Sequence, residues 1–417
     1  MSKILFVTDY LPSSNFSGSG VTSSAAIHAL LKKGHTVHIL ALSCNAYESK
    51  VVDSNLIEAW DLLGVKSSIL NFDKLIANNF SGLKGLINKL AIIIWPEKYL
   101  PLGVIAKKNI NDFIRHISPD KVVAYHWNAG LAIKSIDVKR YLVVGDPLHL
   151  PILYGSKLLV DDKKQLMRFY VKEAINYLLS KRLIKLMSEI MNAVNACGAF
   201  AAHHADKLSQ SSISGCQYIH TPVADPSPNQ VGCENKSQVL KILHIGHLQG
   251  TATIAGIQLI GDEVIPVLNK SNLDYEMHFV GAFSERLPEI IKKKLGGDHI
   301  KFKGEIYPPD AEFTSSHCLL VATPIELGIR VRIITAFSFG SCIVAHVANA
   351  KGIPELVHGF NCMLGNSGAE LAEHCLEIFK NPLLRRRLQV NARNTFEQYF
   401  SAEVVGEELC ELMEEYH

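Results

Sequence analysis

The sequence predicts an α/β protein with two doubly wound parallel sheets, and three observations support this fold class. Short apolar runs alternate with helical patterns, the alternation restarts after a polar linker, and 417 residues exceed what one hydrophobic core usually serves. We expect a first domain at 1–225, the linker at 226–237, a second domain at 238–390 and terminal helices at 391–417.

The first half opens with a strand, a loop of small residues, a helix and a second strand. The apolar run Lys3 to Thr8 is followed by Gly18-Ser19-Gly20 at the end of the loop, a helical pattern from Val21 to Lys33, and the run Thr36 to Leu42. Further strands are expected at Lys121 to Tyr125, Tyr141 to Val144, Ala199 to Ala202 and Gln217 to His220, with a long helix from about 161 to 195. Strands joined by helices in this way form one parallel sheet.

The second half repeats this logic with shorter strands. They are expected at Lys241 to Ile245, Tyr275 to Val280, Ile300 to Phe302, Cys318 to Ala322 and Cys342 to Ala345. Two final helical patterns follow, Pro382 to Tyr399 and Ala402 to Tyr416. Ligands of parallel sheets bind beyond the carboxyl ends of the strands, so two such sheets facing each other predict one cleft between domains.

Composition and charge narrow the class of protein. The nine cysteines form no CxxC pair, which is typical of a reduced, cytoplasmic protein without a zinc site. The first apolar run ends at Asp9 and is too short for a secretory signal. Residues 1–236 carry 26 Lys and Arg against 18 Asp and Glu, whereas the remainder carries 16 against 22. The basic first half indicates either an anionic lipid or acidic partner, or a solvated basic surface without one.

The stretch Pro324 to Glu355 has the pattern of a phosphate site. Gly328 allows the backbone to approach a ligand, and a helical pattern from Ile329 to Phe339 carries Arg330 and Arg332 in its first turn. Cations are unfavourable at a helix N-terminus, so two arginines there suggest a shared anion. The alternative is that both are solvated or paired with surface carboxylates.

The first half offers three further candidates. Gly18, Ser19 and Gly20 can bring amides to a phosphate or a sugar hydroxyl, but the pattern lacks the third glycine of the dinucleotide fingerprint and disfavours NAD. His126 and Asp146 each follow an apolar strand, where a side chain capable of proton transfer would enter the cleft. The alternative is a tight turn for the glycines and structural roles for His126 and Asp146.

These residues resemble a known family. The segment Gly328 to Ala336, with Phe339-Gly340 and Gly352-Ile353-Pro354-Glu355, is similar to the donor site of GT-B glycosyltransferases of the retaining family 4, or group 1, type. Lys33 to Val37 and Ile242 to Thr251 are also similar to segments of that family. The resemblance implies two Rossmann-like domains and a last helix that crosses back to the first domain.

The resemblance also implies donor-binding roles for particular residues, and this chain departs from the pattern at three of them. Thr335 stands where a Glu typically holds the ribose, His247 replaces an Arg, and Asp146 stands where many members have an active-site His. Glu326 is out of register to replace the missing Glu. The lysine that typically grips the diphosphate is also missing, since no lysine follows before Lys270. The resemblance further implies donor-binding roles for Gly246, Gly250, Thr251 and, in the segment whose backbone often contacts the base, Glu305.

The implied activity is transfer of a sugar from a nucleotide sugar to a glycan or lipid-linked glycan in bacterial surface polysaccharide synthesis, without a cofactor or required metal. Retention of configuration is the family expectation. Phe80 to Leu102 mixes lysines with apolar residues and is either a core helix or a surface for peripheral contact with the inner face of the cytoplasmic membrane. A nucleotide-sugar epimerase and a catalytically silent binding subunit are the alternatives, and nucleic acid is not an expected partner.

Overall fold

The computed structural model describes residues 1–13, 18–43, 52–70, 82–158, 166–210, 215–232, 237–248, 250–282, 287 and 289–414. The chain divides into two compact units. Unit 1 comprises Met1–His220 with Val405–His417, and unit 2 comprises Thr221–Val404.

Unit 1 is a parallel α/β sheet of seven strands. Its strands are β1 (Lys3–Tyr10), β2 (Thr36–Ser43), β3 (Lys66–Ile69), β4 (Lys121–Tyr125), β5 (Lys139–Val144), β6 (Ala196–Ala199) and β7 (Gln217–Tyr218). Its helices are α1 (Gly18–Lys32), α2 (Val52–Leu62), α3 (Gly82–Ile94), α4 (Pro101–Ile117), α5 (Trp127–Ile133), α6 (Leu150–Leu158), α7 (Leu166–Met191) and α8 (Ala202–Ser209). The strand order is β3-β2-β1-β4-β5-β6-β7.

Unit 2 has a parallel sheet of six strands in the order β10-β9-β8-β11-β12-β13. Its strands are β8 (Leu240–Ile245), β9 (Tyr275–Val280), β10 (Ile300–Gly304), β11 (Cys318–Val321), β12 (Ile343–His346) and β13 (Met363–Gly365). Its helices are α9 (Thr251–Leu259), α10 (Ile265–Lys270), α11 (Glu289–Lys294), α12 (Asp310–Ser315), α13 (Val331–Ser338), α14 (Gly368–Lys380) and α15 (Pro382–Thr395). These two sheets confirm the predicted fold class.

The central strands form because they are apolar on both faces. All of Ile4 to Thr8 in β1 and all of Cys318 to Val321 in β11 are buried, as expected for parallel strands covered by helices on both sides. Each unit has its own core, the first built around residues such as Leu5, Val122 and Leu142, and the second around Ile242, Phe279 and Leu320.

Several elements differ from the sequence prediction, among them α13, which begins at Val331 rather than Ile329 and has Arg330 as its N-cap. Strand β6 ends at Ala199 rather than spanning Ala199 to Ala202, because Tyr141 of β5 pairs with Ala196 and the chain enters α8 at Ala202. Edge strands β3 and β13 were not predicted, since one is half-exposed and rich in serine and the other has three residues. Helix α1 begins at Gly18, so the three glycine-loop residues form its first turn.

The last helix, α16 (Ala402–Leu412), carries the chain into unit 1. Gly406 lies against Ala29 of α1, where an added Cβ would be 3.1 Å from the Cβ of Ala29. Lys33 Nζ lies 2.6 Å from a carboxylate oxygen of Glu407, and the Tyr141 hydroxyl donates to the carbonyl of Met413 at 2.8 Å. No helix in the described part of the chain is both long and apolar enough to cross a bilayer.

Candidate functional site

Each sheet has one point where the chain turns to opposite sides, and these points define where a ligand can bind. In unit 2 the point lies between β8 and β11, and in unit 1 it lies between β1 and β4. Connections from two such neighbouring strands leave in opposite directions, which opens a crevice at their carboxyl ends. The residues that follow these four strands are therefore the first to consider.

In unit 2 the guanidinium of Arg332 occupies this crevice. Arg332 lies in the first turn of α13 and packs against the Cα of Gly246, which follows β8, so closely that a Cβ there would overlap its Nη1. Its Nη2 lies 3.5 Å from the hydroxyl of Thr323, which follows β11. Its Nε is shielded from solvent and has no hydrogen-bond partner among the described residues. A half-buried guanidinium whose shielded Nε has an unused donor is a site for an anion.

Burial sets the charges around Arg332. It lowers the pKa of Arg332 to about 9, with a second contribution from the charge of Arg330, so the guanidinium remains cationic at neutral pH. Burial, and next the charge of Arg332, lower the pKa of His244 to about 3. His244 Nδ1 lies 3.1 Å from the carbonyl of Leu320, so the neutral ring donates from Nδ1. The positive charge of this crevice is thus held by arginine and not by histidine.

Two glycines allow this close packing. Gly246 has φ +141° and Gly281 has φ +143°, and a Cβ on Gly281 would overlap the carbonyl of Gly246. The amide of Gly246 donates to the carbonyl of Val280 at 2.9 Å, and that of Gly281 donates to Gly304 at 2.7 Å. The loop after β8 is therefore fixed against the loop after β9, with its backbone exposed to the guanidinium of Arg332.

The remaining predicted donor residues of unit 2 are placed as follows. Arg330 is the N-cap of α13 and its Nη2 donates to the carbonyl of Leu327, next to Gly328 at φ +62°. Thr335 donates its hydroxyl to the carbonyl of Val331 at 3.2 Å, within its own helix.

The other predicted donor residues lie outside α13. His247 and Glu305 are exposed, and Gly250 is the N-cap of α9, whose first residue is Thr251. A carboxylate oxygen of Glu326 lies 2.7 Å from Nζ of Lys351, so Glu326 forms an ion pair and does not take the place of the missing ribose-binding Glu.

In unit 1, His126 lies at the carboxyl end of β4 in a strained backbone conformation. Its φ is +79°, which for a side chain of this size costs on the order of 1–3 kcal/mol. Its amide donates to Val143 of β5 at 2.8 Å, and its ring lies 4.9 Å from the ring of Tyr125 between centroids. Nε2 is shielded from solvent without a partner among the described residues, and burial lowers the pKa of His126 to about 4. The ring is therefore neutral at pH 7 and offers one nitrogen to a ligand.

Asp146 lies beside His126 at the end of β5. Its main-chain carbonyl accepts a hydrogen bond from the indole of Trp127 at 2.8 Å, and the ring of His126 lies 3.6 Å from the Cβ position of Gly145. The Asp146 carboxylate is 37% exposed and lies 3.7 Å from Nδ1 of the buried His204, on α8. The structure thus brings the two predicted residues of this unit to neighbouring strand ends.

Asp9, at the end of β1, is a candidate that the sequence analysis missed. Its Oδ2 accepts a hydrogen bond from the Asn128 side chain at 3.0 Å, while Oδ1 is shielded and has no partner among the described residues. Burial raises the pKa of Asp9 to about 6, and the bonds from Asn128 and from the amide of Ala129 oppose this only in part. Asp9 directly follows the predicted apolar run Lys3 to Thr8, so the reasoning that selected His126, a titratable residue after an apolar strand, would also have selected Asp9.

Asn128 is itself positioned by α4. The amide of Gly103 donates to its Oδ1 at 3.2 Å, and a Cβ on Gly103 would lie 2.5 Å from its main-chain oxygen. Only glycine allows α4 and α5 to approach this closely. With its oxygen held by Gly103, the side chain of Asn128 donates from Nδ2 to the carboxylate of Asp9.

The glycine segment lies at the N-terminus of α1. Gly18, Ser19 and Gly20 form its first turn, and the carbonyl of Gly20 accepts from the amide of Ser13 at 3.4 Å. The preceding Ser17 lies outside the described residues. Amides of a first helical turn have no partner within their helix, so those of this segment can donate to a phosphate or a sugar hydroxyl, as the sequence predicts. In the described part of the chain, no three His, Cys, Asp or Glu side chains are grouped closely enough to hold a metal ion.

Comparison with known proteins gives the class of this molecule. Residues 240–381, from β8 to the end of α14, match the model of the family described as Glycosyl transferases group 1. The match covers the crevice of unit 2, including Gly246 and Arg332. This match agrees with the predicted resemblance to GT-B glycosyltransferases, and the likeness to solved structures gives the chain the GT-B fold.

Solved structures agree over the full length. A glycosyltransferase from Rickettsia africae ESF-5 is 15% identical with a TM-score of 0.63, covering 99% of this chain and 98% of that chain. HepE from Anabaena, in complex with UDP and glucose, is 14% identical with a TM-score of 0.64, covering 99% of both chains. The lipopolysaccharide outer core galactosyltransferase WaaB is 12% identical with a TM-score of 0.59, also covering 99% of both. At these identities the likeness concerns the fold. No curated protein matches the chain.

Proposed function

We propose that this protein is a glycosyltransferase that moves a sugar from a nucleotide sugar to a glycan or lipid-linked glycan acceptor. The observation that carries the proposal is the guanidinium of Arg332, held in the crevice of unit 2 with an unused, shielded Nε. The leaving group of such a reaction is a nucleoside diphosphate. A buried cation stabilises the charge that develops on this leaving group more strongly than a solvated one.

Each residue has a role in this reaction. The bond between the anomeric carbon and the phosphate oxygen breaks, while a bond from that carbon to the acceptor oxygen forms and the acceptor loses its proton. Arg332, assisted by Arg330 and by amides of the Gly246–Gly250 turn, stabilises the departing diphosphate. His126 and Asp146 bind or deprotonate the acceptor hydroxyl. We propose retention of configuration and no requirement for a metal, as the family resemblance implies.

The acceptor part of the proposal concerns bacterial surface polysaccharides. The excess of basic residues in 1–236 favours a pyrophosphate-linked or otherwise anionic acceptor. Two of the solved structures with this fold are an enzyme of lipopolysaccharide outer core synthesis and a protein bound to UDP and glucose. We propose that the enzyme works in the cytoplasm, at the inner face of the cytoplasmic membrane.

A nucleotide panel tests the donor part. Calorimetry with the diphosphates of uridine, guanosine, adenosine, cytidine and deoxythymidine is expected to give one clear binder, and its sugar derivatives identify the donor. Arg332→Gln should weaken this binding about 100-fold, while Arg387→Gln, an arginine on α15 whose Nη2 donates to the carbonyl of Gly359, should leave it unchanged. If no nucleotide or nucleotide sugar binds the wild type, the proposal is wrong.

Product analysis then separates transfer from the alternatives. With donor and acceptor glycans, transfer releases nucleoside diphosphate in proportion to the acceptor consumed. An epimerase would instead convert the sugar without needing an acceptor, and a silent binding subunit would leave the bound nucleotide sugar unchanged. Either result would replace the transferase proposal.

A further inference from the structure

Two polar atoms at neighbouring strand ends of unit 1 have no hydrogen-bond partner among the described residues. They are Oδ1 of Asp9, at the end of β1, and Nε2 of His126, which follows β4, and both are shielded from solvent. Thr8 of β1 pairs with Tyr125 of β4, so Asp9 and His126 come next on two adjacent strands. Buried polar atoms are almost always hydrogen-bonded, and two unused ones at the same level of a sheet indicate a ligand that bonds to both.

These two atoms suit a hydroxyl group. An ionised carboxylate only accepts hydrogen bonds, and the neutral ring of His126 donates one when its proton is on Nε2. A hydroxyl has one hydrogen to donate and lone pairs to accept, so a single hydroxyl can bond to both residues. A phosphate or carboxylate group would instead lie beside the like charge of Asp9, which is unfavourable. The arrangement therefore favours an uncharged alcohol, such as a hydroxyl of a sugar ring.

The other carboxylate oxygen of Asp9 is already engaged. Oδ2 accepts a hydrogen bond from Nδ2 of Asn128 at 3.0 Å, and the carboxylate also accepts one from the amide of Ala129. Asn128 is fixed in turn, because its Oδ1 accepts from the amide of Gly103 at 3.2 Å. A reacting group that its neighbours hold in place needs little reorganisation during a reaction. Oδ1 of Asp9 is thus preorganised for a ligand.

From the described elements around it, few charged groups face Asp9. The residues of β2 that pair with β1 at this level, Ala41 and Ser43, are uncharged. Helix α5 carries no titratable side chain, and those of α1, His28 and Lys32, lie in its second half. The titratable groups nearby on β1 and at the neighbouring strand ends are Tyr10, Tyr125, His126 and Asp146. Burial therefore dominates and raises the pKa of Asp9 to about 6, which suits a general base near neutral pH.

The two other candidates of this crevice are less suited to take a proton. Burial lowers the pKa of His126 to about 4, so its ring is a weak base at neutral pH. The Asp146 carboxylate is 37% exposed and lies 3.7 Å from Nδ1 of His204, so water and an imidazole already compete for it. His126 and Asp146 are therefore better suited to binding the acceptor than to deprotonating it.

We propose that Oδ1 of Asp9 takes the proton of the acceptor hydroxyl while Nε2 of His126 orients that hydroxyl, and that an uncharged sugar alcohol enters this crevice. The O–H bond of the acceptor breaks and its proton passes to Asp9. The acceptor oxygen bonds to the anomeric carbon, and the electron pair of the breaking bond from carbon to phosphate oxygen leaves with the nucleoside diphosphate. This role depends on the transferase function proposed above. Any anionic part of the acceptor binds outside this crevice.

Hydrolysis of the nucleotide sugar that binds best tests this role, because water is also a hydroxyl donor and no acceptor glycan has to be known. Asp9→Asn should lower kcat for release of nucleoside diphosphate at least about 100-fold and leave the Kd of the nucleotide sugar unchanged. Asp112→Asn, at an exposed position of α4, should change neither.

The outcomes distinguish this role from the transferase proposal. If Asp9→Asn retains more than about a third of the wild-type kcat, the role of Asp9 is wrong and the donor site stands. The same holds if the wild type binds the nucleotide sugar but does not turn it over with water or with a panel of methyl glycosides. If the wild type binds no nucleotide sugar, the transferase proposal falls and the role of Asp9 falls with it.

The pH profile separates proton transfer from a structural role of Asp9. Because the carboxyl must be ionised to accept a proton, the wild-type kcat should fall as pH decreases below about 6, and this fall should be absent in Asp9→Asn. The hydrogen bond from Asn128 lowers the pKa of Asp9, so Asn128→Ala should move the fall to higher pH. Thermal unfolding verifies that each variant is folded. A fall that persists in Asp9→Asn belongs to another group and overturns the proposal.

Discussion

The crevices of the two units share a topology and differ in charge. In unit 2 the residues after the two central strands enclose an arginine, and the histidine beside it is held neutral by burial and by that arginine. In unit 1 the equivalent strand ends carry Asp9 and His126, and burial raises the pKa of the acid while lowering that of the base. The same desolvation thus leaves a cation in one crevice and a weakly acidic carboxyl with a neutral imidazole in the other.

This difference shows what the fold decides and what the side chains decide. A doubly wound sheet fixes where a ligand can bind, but not its charge. The enclosed guanidinium of unit 2 suits the diphosphate of a donor. The carboxyl and imidazole of unit 1 suit a hydroxyl whose proton must be held or removed. Substitutions at these groups test this division of charge, and the largest effect is expected at Arg332.

Replacing Arg332 should remove most of the affinity for a nucleoside diphosphate. Arg332→Gln retains much of the volume but loses the charge, and a hydrogen-bonded charge in a shielded site contributes about 3 kcal/mol to binding, which is about 100-fold in Kd. Calorimetry with the nucleotide that binds best measures this. A loss of less than about threefold would show that the anion binds elsewhere in unit 2.

Adding a methyl group at Gly246 should displace the same guanidinium without changing any charge. The new Cβ would overlap Arg332 Nη1, and the φ of +141° disfavours alanine by about 1–3 kcal/mol. We expect Gly246→Ala to weaken diphosphate binding about tenfold as well as to lower the unfolding temperature. Gly359→Ala is the control, because Gly359 has φ +72° with no atom within 4 Å of its Cβ position. It should lower stability alone, and equal binding losses in both variants would contradict the prediction.

In unit 1, neutralising Asp9 should stabilise the protein at neutral pH. The pKa of this carboxyl is raised to about 6 by folding, so the folded state resists ionisation and stability falls as pH rises between the unfolded and the folded pKa. Asp9→Asn should therefore raise the free energy of unfolding by about 2 kcal/mol near pH 8 and by about half as much near pH 5. Thermal unfolding at the two pH values measures the difference.

The control for Asp9 is Asp112→Asn, since the Asp112 side chain is 80% exposed on α4. That variant should change stability little at either pH. If Asp9 binds the acceptor, Asp9→Asn should also lose activity while gaining stability, a common trade-off at active sites. Equal destabilisation by Asp9→Asn at both pH values would mean that the carboxylate is a satisfied structural group.

Strand positions were predictable where a strand is buried on both faces. Strands β4 and β9 have the predicted ends, and every residue of them is buried except Lys121 and Glu276. Strand β3 was not predicted, because its two serines interrupt any apolar run. Short apolar runs also leave the register open, and for β6 only pairing with β5 fixes it.

The site was predictable as positions but not as chemistry. The position after an apolar strand selected His126 and Asp146, and the family resemblance selected Gly246; all three lie at strand ends. The state of Asp9, however, depends on Asn128, which is 119 residues away, and on the close approach that Gly103 allows. Likewise, the shielding of Arg332 depends on the loop after β8. Burial created by distant segments shifts these pKa values, and no local pattern reports it.

The smallest expected effect concerns Thr335, where the family pattern has a glutamate that holds the ribose. Thr335 uses its hydroxyl within α13 and lies three residues after Arg332, on the same side of the helix. We expect the wild type to bind a nucleoside diphosphate and its 2′-deoxy analogue almost equally. Thr335→Glu should then favour the ribonucleotide by about tenfold, and Thr335→Gln by less, because the hydrogen bond to a carboxylate is the stronger.

Competition calorimetry with the two nucleotides decides this, and its result bears on the charge of the whole crevice. A glutamate at 335 would also lie beside Arg332 and weaken its hold on the diphosphate. If the wild type already discriminates strongly, another group, such as the exposed Glu305, supplies the carboxylate, and unit 2 is less purely cationic than its described residues indicate. If Thr335→Glu lowers the affinity for both nucleotides equally, pairing with Arg332 outweighs any contact with the ribose. The absence of the glutamate would then be what keeps this guanidinium free for the anion.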